Sequence, residues 1–195
     1  MVERKRAVRL TAWSAADFWL LVRCNEPEMT RYLGGPESQE RLAARQQRYE
    51  ALSTREPAAG RIFRIDLLGP GEPGRSIQPG QPGRSGGGGA EGEVRAAGSI
   101  GFWEREWRGG PVYETGWAVL PEFQGRGLAA AALEELLAHI RAHGDRDAVH
   151  AFPGTDHPAS NGVCRRAGFE CLGRIEFEYP AGVPHPSFDW RLPLR

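Results

Sequence analysis

No apolar run in the chain approaches the roughly 20 residues needed to cross a bilayer, so no membrane span is expected. Net charge is missing as well, with 25 Lys and Arg balancing 25 Asp and Glu. A neutral chain lacks the basic field that nucleic-acid binders carry, so no nucleic-acid partner is expected. Cysteine is scarce. Cys24, Cys164 and Cys171 are odd in number and share no CxxC spacing. That speaks against a disulfide framework or a cysteine-rich zinc site and suits a reducing cytoplasm. The opening residues Met1-Val2-Glu3-Arg4-Lys5-Arg6 are charged and contain no signal-peptide core, so nothing marks export. Lysine is almost absent: Lys5 stands alone, and the other 24 basic residues are arginine. What is present is ordinary for a globular protein, with 40% apolar residues and 26 glycines. A length of 195 residues suits one domain, or one with an appendage.

The clearest break is at residues 69–93, which hold ten Gly and four Pro, with Ile77 and Ala90 as the apolar residues. Such a segment cannot bury enough surface to offset its ordering entropy, and it reads as a flexible insertion in a single domain spanning 1–195. Ahead of it, residues 8–13 alternate with period two and read as a strand. Ser14 and Asp17 resemble a capping box before the apolar stripe Ala15, Phe18, Leu21 and Val22. Residues 25–36 read as a loop, 37–52 as a second helix and 61–68 as a strand. After the break, 94–106 and 112–120 read as paired strands around Arg108-Gly109-Gly110-Pro111. Leu133, Leu136, Leu137 and Ile140 mark the strongest helix, 128–143, which Gly144 stops. A strand at 148–152, a short helix at 160–167 and strands at 169–179 and 188–192 complete the chain. The order predicts an α/β mixed sheet of about seven strands with about four helices.

The segment richest in chemical information runs from Trp117 through Val119 to Gln124-Gly125-Arg126-Gly127-Leu128-Ala129. A strand ends, and a glycine-bearing turn opens the strong helix. The first amides of a helix have no intrahelical partner, and the helix dipole adds positive character there. Gly125 and Gly127 permit close backbone approach, and Arg126 adds a cation. A phosphate or pyrophosphate is the natural guest. Gly125 to Ala130 also satisfies the dinucleotide pattern GxGxxG/A. Against that reading, four residues separate strand from glycine, the preceding strand is read as antiparallel, and Phe152-Pro153 stands where an acid is required. The P-loop pattern fails for want of Lys-Ser/Thr.

Gln124, Gly127 and Ala129 also fit Gln/Arg-x-x-Gly-x-Gly/Ala, which resembles the pyrophosphate loop of the GNAT superfamily of N-acetyltransferases. The resemblance extends to Glu114-Thr115-Gly116-Trp117 with Val119 and Pro121. It extends also to residues 157–169, ending in Gly168-Phe169, and to Phe177-Glu178-Tyr179 and Asp189-Trp190-Arg191-Leu192. These last blocks, with residues 25–36, are similar to the branch that contains ribosomal-protein alanine/serine N-acetyltransferases. The resemblance implies a mostly antiparallel sheet and acetyl-CoA as co-substrate, with no metal. The acceptor would be a primary amine, on a protein N-terminus or a small molecule, that attacks the thioester directly in a ternary complex. A monomer or homodimer is expected. Backbone groups of Trp117 and Val119 would bond the acetyl carbonyl and the pantetheine arm, with the loop from Gln124 to Ala129 on the pyrophosphate. A non-catalytic acyl-CoA sensor would need the same loop and is the alternative.

Individual residues carry paired readings. Glu114 shares a strand face with Gly116 and Ala118 and is a candidate base or carboxylate gate. Otherwise it is a solvated carboxylate or the cross-strand partner of an arginine. Glu104 is a weaker version of the same idea. Cys164 stands where many family members carry a tyrosine acid, so it is either a thiol donor or a small core residue. Asn161 either contacts the cofactor or caps its helix. His157 replaces an asparagine common in the family. His139 and His143 are i, i+4 with no third ligand in view, so no metal site is expected.

Overall fold

Alternating apolar residues build a sheet on which every later element is placed. The computed structural model describes residues 8–68, 95–178 and 182–195. Seven strands form one sheet: β1 (Val8–Ala12), β2 (Gly60–Leu67), β3 (Arg95–Trp107), β4 (Gly110–Val119), β5 (Ala148–Ala151), β6 (Glu170–Glu178) and β7 (Pro184–Pro193). Their spatial order is β1-β2-β3-β4-β5-β7-β6. Every neighbouring pair is antiparallel except β4 with β5, which is parallel. The sheet is therefore mixed and mostly antiparallel, in agreement with expectation.

Five α-helices flank it: α1 (Phe18–Cys24), α2 (Pro27–Thr30), α3 (Gln39–Thr54), α4 (Leu128–His143) and α5 (Pro158–Arg166). One more appears than the pattern implied, because the single turn α2 interrupts the expected loop at 25–36. Pro27 occupies its first turn, where no amide hydrogen is needed. Thr30 Oγ1 donates to the Glu26 carbonyl. α5 starts two residues early for the same reason, with Pro158 in its first turn and His157 as cap. β7 starts at Pro184 rather than 188, because β6 pairs with it from Glu178 onward.

Side-chain alternation separates the helices. Phe63 on β2 meets His139 of α4, with ring centroids 5.1 Å apart. The next residue, Arg64, pairs with Asp17 just ahead of α1 at 2.6 Å. Adjacent strand residues point to opposite faces, so α4 and α1 lie on opposite sides of the sheet. α4 buries Leu128, Ala132, Leu133, Leu136, Leu137 and Ile140, each large side chain contributing about 1.5–3 kcal/mol. The Gly144 amide closes its end on the Ile140 carbonyl at 2.7 Å. Arg108 and Gly109 join β3 to β4 with φ of 50° and 83°. Two residues at positive φ make the tight hairpin turn whose twist matches the strands. Among the described residues, no helix is long and apolar enough to cross a membrane.

The flexible insertion expected at 69–93 lies outside the described residues. Its flanks do not: Leu67 and Arg95 face each other as register partners in β2 and β3. A tight hairpin turn would therefore reach between the same ends. Replacing 69–93 by a short turn should leave the melting temperature equal or higher, because a shorter loop costs less to close. CoA affinity should also be retained. Loss of either, measured by thermal denaturation and calorimetry, would show that the segment contributes to the fold or the site, against the single-domain reading.

Candidate active site

The site begins where a ladder stops. β4 and β5 pair only at Tyr113↔Val149 and Glu114↔His150. β5 ends at Ala151, and Pro153 follows two residues on with no amide hydrogen to donate. Thr115 to Val119 therefore run beside a gap. The Leu120 amide bonds to the Ala97 carbonyl on β3. With a period of two, the backbone groups of Trp117 and Val119 turn the other way, toward the gap. The Val119 carbonyl already meets Gln124 Nε2 there, at 2.9 Å. The gap opens into a cleft of about 630 Å³, within the range of small-molecule sites.

One end of the cleft is the glycine turn. Gly125 and Gly127 hold φ of 70° and 74°, and a Cβ on either would stand in open space. The first intrahelical bond of α4 runs from the Ala131 amide to the Gly127 carbonyl. The amides of Leu128, Ala129 and Ala130 thus lack intrahelical acceptors and sit at the positive end of the helix dipole. Gln124, Gly125, Gly127, Leu128 and Ala129 all line the cleft, as do Trp117 and Val119. These groups fit a pyrophosphate and its pantetheine arm. Arg126 is exposed, with its guanidinium 5.7 Å from the Phe123 ring, and does not line the cleft.

Glu114 lies at the other end. It lines the cleft with Gly116 and Ala118, and Arg105 Nη1 donates to its Oε2 at 2.6 Å. Glu114 is thus the cross-strand partner of an arginine, and it also lines the cleft. Burial pushes its carboxyl above the ordinary carboxylate range, while Arg105 and a hydrogen bond from Trp103 pull it partly back. Behind it, His150 Nδ1 is 2.7 Å from the buried Asp189. Asp189 also accepts from Trp107 Nε1 at 3.0 Å and pairs with Arg108 at 3.1 Å. Opposite, Tyr32 stacks on His157 at 4.1 Å, so residues on the two lips of the cleft touch. Burial lowers the His157 pKa, and Arg31 lowers it further.

Three other candidates are placed elsewhere. Cys164 is fully buried in the hydrophobic core, and burial pushes its thiol up to about 12. It does not line the cleft, so its position suits packing and not proton donation. Asn161 is buried, with Nδ2 donating to the Gly154 and His157 carbonyls and Oδ1 accepting from Trp190 Nε1. Its amide is spent on holding the loop before α5, and Ser160 is the neighbour that reaches the cleft. Glu104 points to the opposite face, where Arg146 binds it. Arg105 was not foreseen, although the signal existed. The tight turn fixes the register Trp103↔Glu114, which puts Arg105 diagonal to Glu114 on the same face.

Two outcomes follow from these placements. Gly127→Val puts a β-branched residue at positive φ and fills the open approach, so CoA affinity should fall about tenfold or more, with the helix retained. Calorimetry on a variant whose circular dichroism matches wild type checks this, and unchanged affinity would remove the site. Cys164→Ala should cost about 1–2 kcal/mol of stability. Its turnover at saturating acetyl-CoA, measured below its melting transition, should equal that of wild type.

Comparison with known proteins agrees with this geometry. The acetyltransferase (GNAT) domain family matches residues 7–170. A search of curated proteins returned no match. Among solved structures, an acetyltransferase from Salmonella typhimurium modifies the N-terminal serine of ribosomal protein L7/L12. It superposes with a TM-score of 0.67 at 21% identity, covering 99% of this chain and 97% of that one. Spermidine N-acetyltransferase from Vibrio cholerae, solved with CoA and spermine, gives 0.65 at 14%, covering 96% and 95%. The aminoglycoside acetyltransferase AAC(6')-Ib, solved with coenzyme A, gives 0.63 at 14%, again covering 96% and 95%. The chain belongs to the GNAT acetyltransferase family and is an acetyl-CoA-dependent N-acetyltransferase.

Proposed function

We propose that this enzyme transfers acetyl from acetyl-CoA to a primary amine by direct attack in a ternary complex, with Glu114 receiving the amine's proton. The observation that carries this is the arrangement along one gap. The turn from Gln124 to Ala129 lies at its entrance, the backbone edge of Trp117 and Val119 that no strand pairs in its middle, and the buried carboxylate of Glu114 at its far end.

In this reading the backbone of Trp117 and Val119 holds the thioester and the arm. An N–H aimed at the acetyl oxygen stabilises the negative charge that develops there. Fixing both reactants removes much of the entropic barrier. An ammonium must lose its proton before attack, and Glu114 lies about 10 Å from Trp117 along the strand. A chain of waters bridges that distance.

Charge bears on the acceptor class. The cleft is lined by Glu28 and Glu114, but also by Arg31, Arg45 and Arg166. Glu114 is compensated by Arg105, and Arg45 pairs with Glu37 at 2.7 Å. A polycation would meet cations as well as carboxylates there. The balance favours an acceptor with a single positive charge, such as a peptide α-amine or a small monoamine. The free Cys24, Cys164 and Cys171 support action in a reducing cytoplasm.

Release of CoA from acetyl-CoA with a panel of peptides, amino acids, polyamines and aminoglycosides tests the reading. Turnover with no amine, alongside tight CoA binding, would count against an acceptor of these classes. On the acceptor so found, Glu114→Gln should lower kcat/KM about 100-fold near pH 7 with CoA affinity preserved. The deficit should shrink toward pH 9, where the free amine is commoner. Wild-type rates for the variant from pH 6 to 9 would leave solvent as the proton acceptor.

A further inference from the structure

The reaction face of the sheet carries a cation that the transfer chemistry does not itself require. Arg105 leaves β3 on the same face as Trp103 and Trp107, and its half-buried guanidinium is flanked by rings. Its Cζ lies 4.5 Å from the centroid of Phe177, 5.5 Å from Phe152 and 5.6 Å from Trp107. The rings form one group, with Phe152 4.4 Å from Phe177 and 4.8 Å from Trp107. They come from β3, β6 and the end of β5, so three parts of the sheet converge on one side chain. Arg105 Nε is buried with no hydrogen-bond partner among the described residues. An unsatisfied donor of this kind costs stability. The guanidinium is thus held by aromatic faces more than by hydrogen bonds, and its Nη1 is aimed at Glu114 Oε2.

We propose that Arg105 is the positioning residue of this active site, gripping one oxygen of Glu114 from its aromatic box so that the carboxylate stays charged with its other oxygen free for the incoming ammonium. The inference rests on the reading of Glu114 as proton acceptor. The surrounding charges leave this task to Arg105. From β5, His150 stands in register with Glu114 but is bound to Asp189, which Arg108 pairs in turn. From β3, Trp103 contributes a neutral hydrogen bond. Glu28, Arg31, Arg45, His157, Arg166 and His185 line the same cleft, and Arg105 is the group placed on the Glu114 carboxylate itself. A flat guanidinium fits between rings where an ammonium would not, so lysine replaces its charge but not its fit.

The sign of the effect follows. Burial favours the neutral acid, and a cation within hydrogen-bond distance opposes that. Without Arg105, Glu114 should hold its proton to higher pH, and transfer should fail over a wider acidic range. The test uses Arg105→Met, Arg105→Gln and Arg105→Lys, each checked for its melting temperature and CoA affinity. The expected result is an acidic limb of kcat/KM moved upward by about one pH unit or more in the Met and Gln variants. In the Lys variant the limb should stay near wild type while kcat falls. A limb that stays in place in the folded Met or Gln variant reduces Arg105 to packing and overturns the proposal. The carboxyl midpoint of Glu114 is read independently by carbon-13 NMR titration of Glu-labelled protein, assigned through Glu114→Gln. An upward-moved midpoint in the Met or Gln variant supports Arg105 even if no amine in the panel is acetylated. An unmoved midpoint overturns the proposal even if the wild type is active.

Discussion

Everything the enzyme can do depends on a ladder that fails after two residue pairs. Had β5 continued beside Thr115 to Val119, their amides and carbonyls would have been consumed by the sheet. Pro153 supplies the interruption, since it cannot donate and its ring disfavours continuation. Its carbonyl instead accepts from the Phe188 amide on β7, which carries the chain away from β4. The freed edge of β4 then presents donors and acceptors to a ligand, at the cost of unpaired backbone in its absence. Glycine at 98, 101 and 116 belongs to the same economy. A Cβ at Gly98 would meet the Ala118 carbonyl at 2.0 Å, and one at Gly101 would strike Ile62 at 2.3 Å. Large side chains there would push β3 away from the cleft floor.

The parts of the molecule governed by local rules were legible in the sequence. α4 is set by Leu133, Leu136, Leu137 and Ile140 at helical spacing and by Gly144, and its observed limits are those expected. The hairpin around Arg108-Gly109-Gly110-Pro111 and the seven strands follow in the same way from alternation and glycine, although the ladder tightens the turn to Arg108 and Gly109. The cleft-facing placement of Trp117, Val119 and Gln124 to Ala129 was read from one strand-turn-helix passage, with Arg126 the exception. Its neighbours need backbone amides on the ligand side, whereas a long side chain is free to turn toward Phe123.

What the sequence concealed was the competition for side chains already committed elsewhere. Asn161 has the polarity of a cofactor contact, but three hydrogen bonds consume it within the fold. Cys164 stands at a tyrosine's position in the family pattern, yet α5 turns it into the core. No single stretch of sequence shows that Phe152, Phe177 and Trp107 surround Arg105, because they come from strands up to 70 positions apart in the chain. The Tyr32 and His157 stack joins segments separated by α3, α4 and four strands of the sheet.

The brace at Asp189 has a mechanical meaning. β1 to β4 and β5 to β6 form two leaves of one sheet, joined edge to edge by only two residue pairs. Near that joint, Asp189 on one leaf holds Trp107 and Arg108 from the other, at the tip of the β3–β4 hairpin. The leaves are thus clamped at the closed end of a wedge whose open end, in the function proposed above, receives the thioester. Five residues separate Glu114 at the clamp from Val119 at the mouth, or about 17 Å of strand. Over that lever arm, a rotation of about 5° at the joint widens the mouth by about 1.5 Å. Small packing changes around a fully buried carboxylate, remote from the glycine turn, would therefore set the aperture of the cleft that the proposed function assigns to the acyl arm.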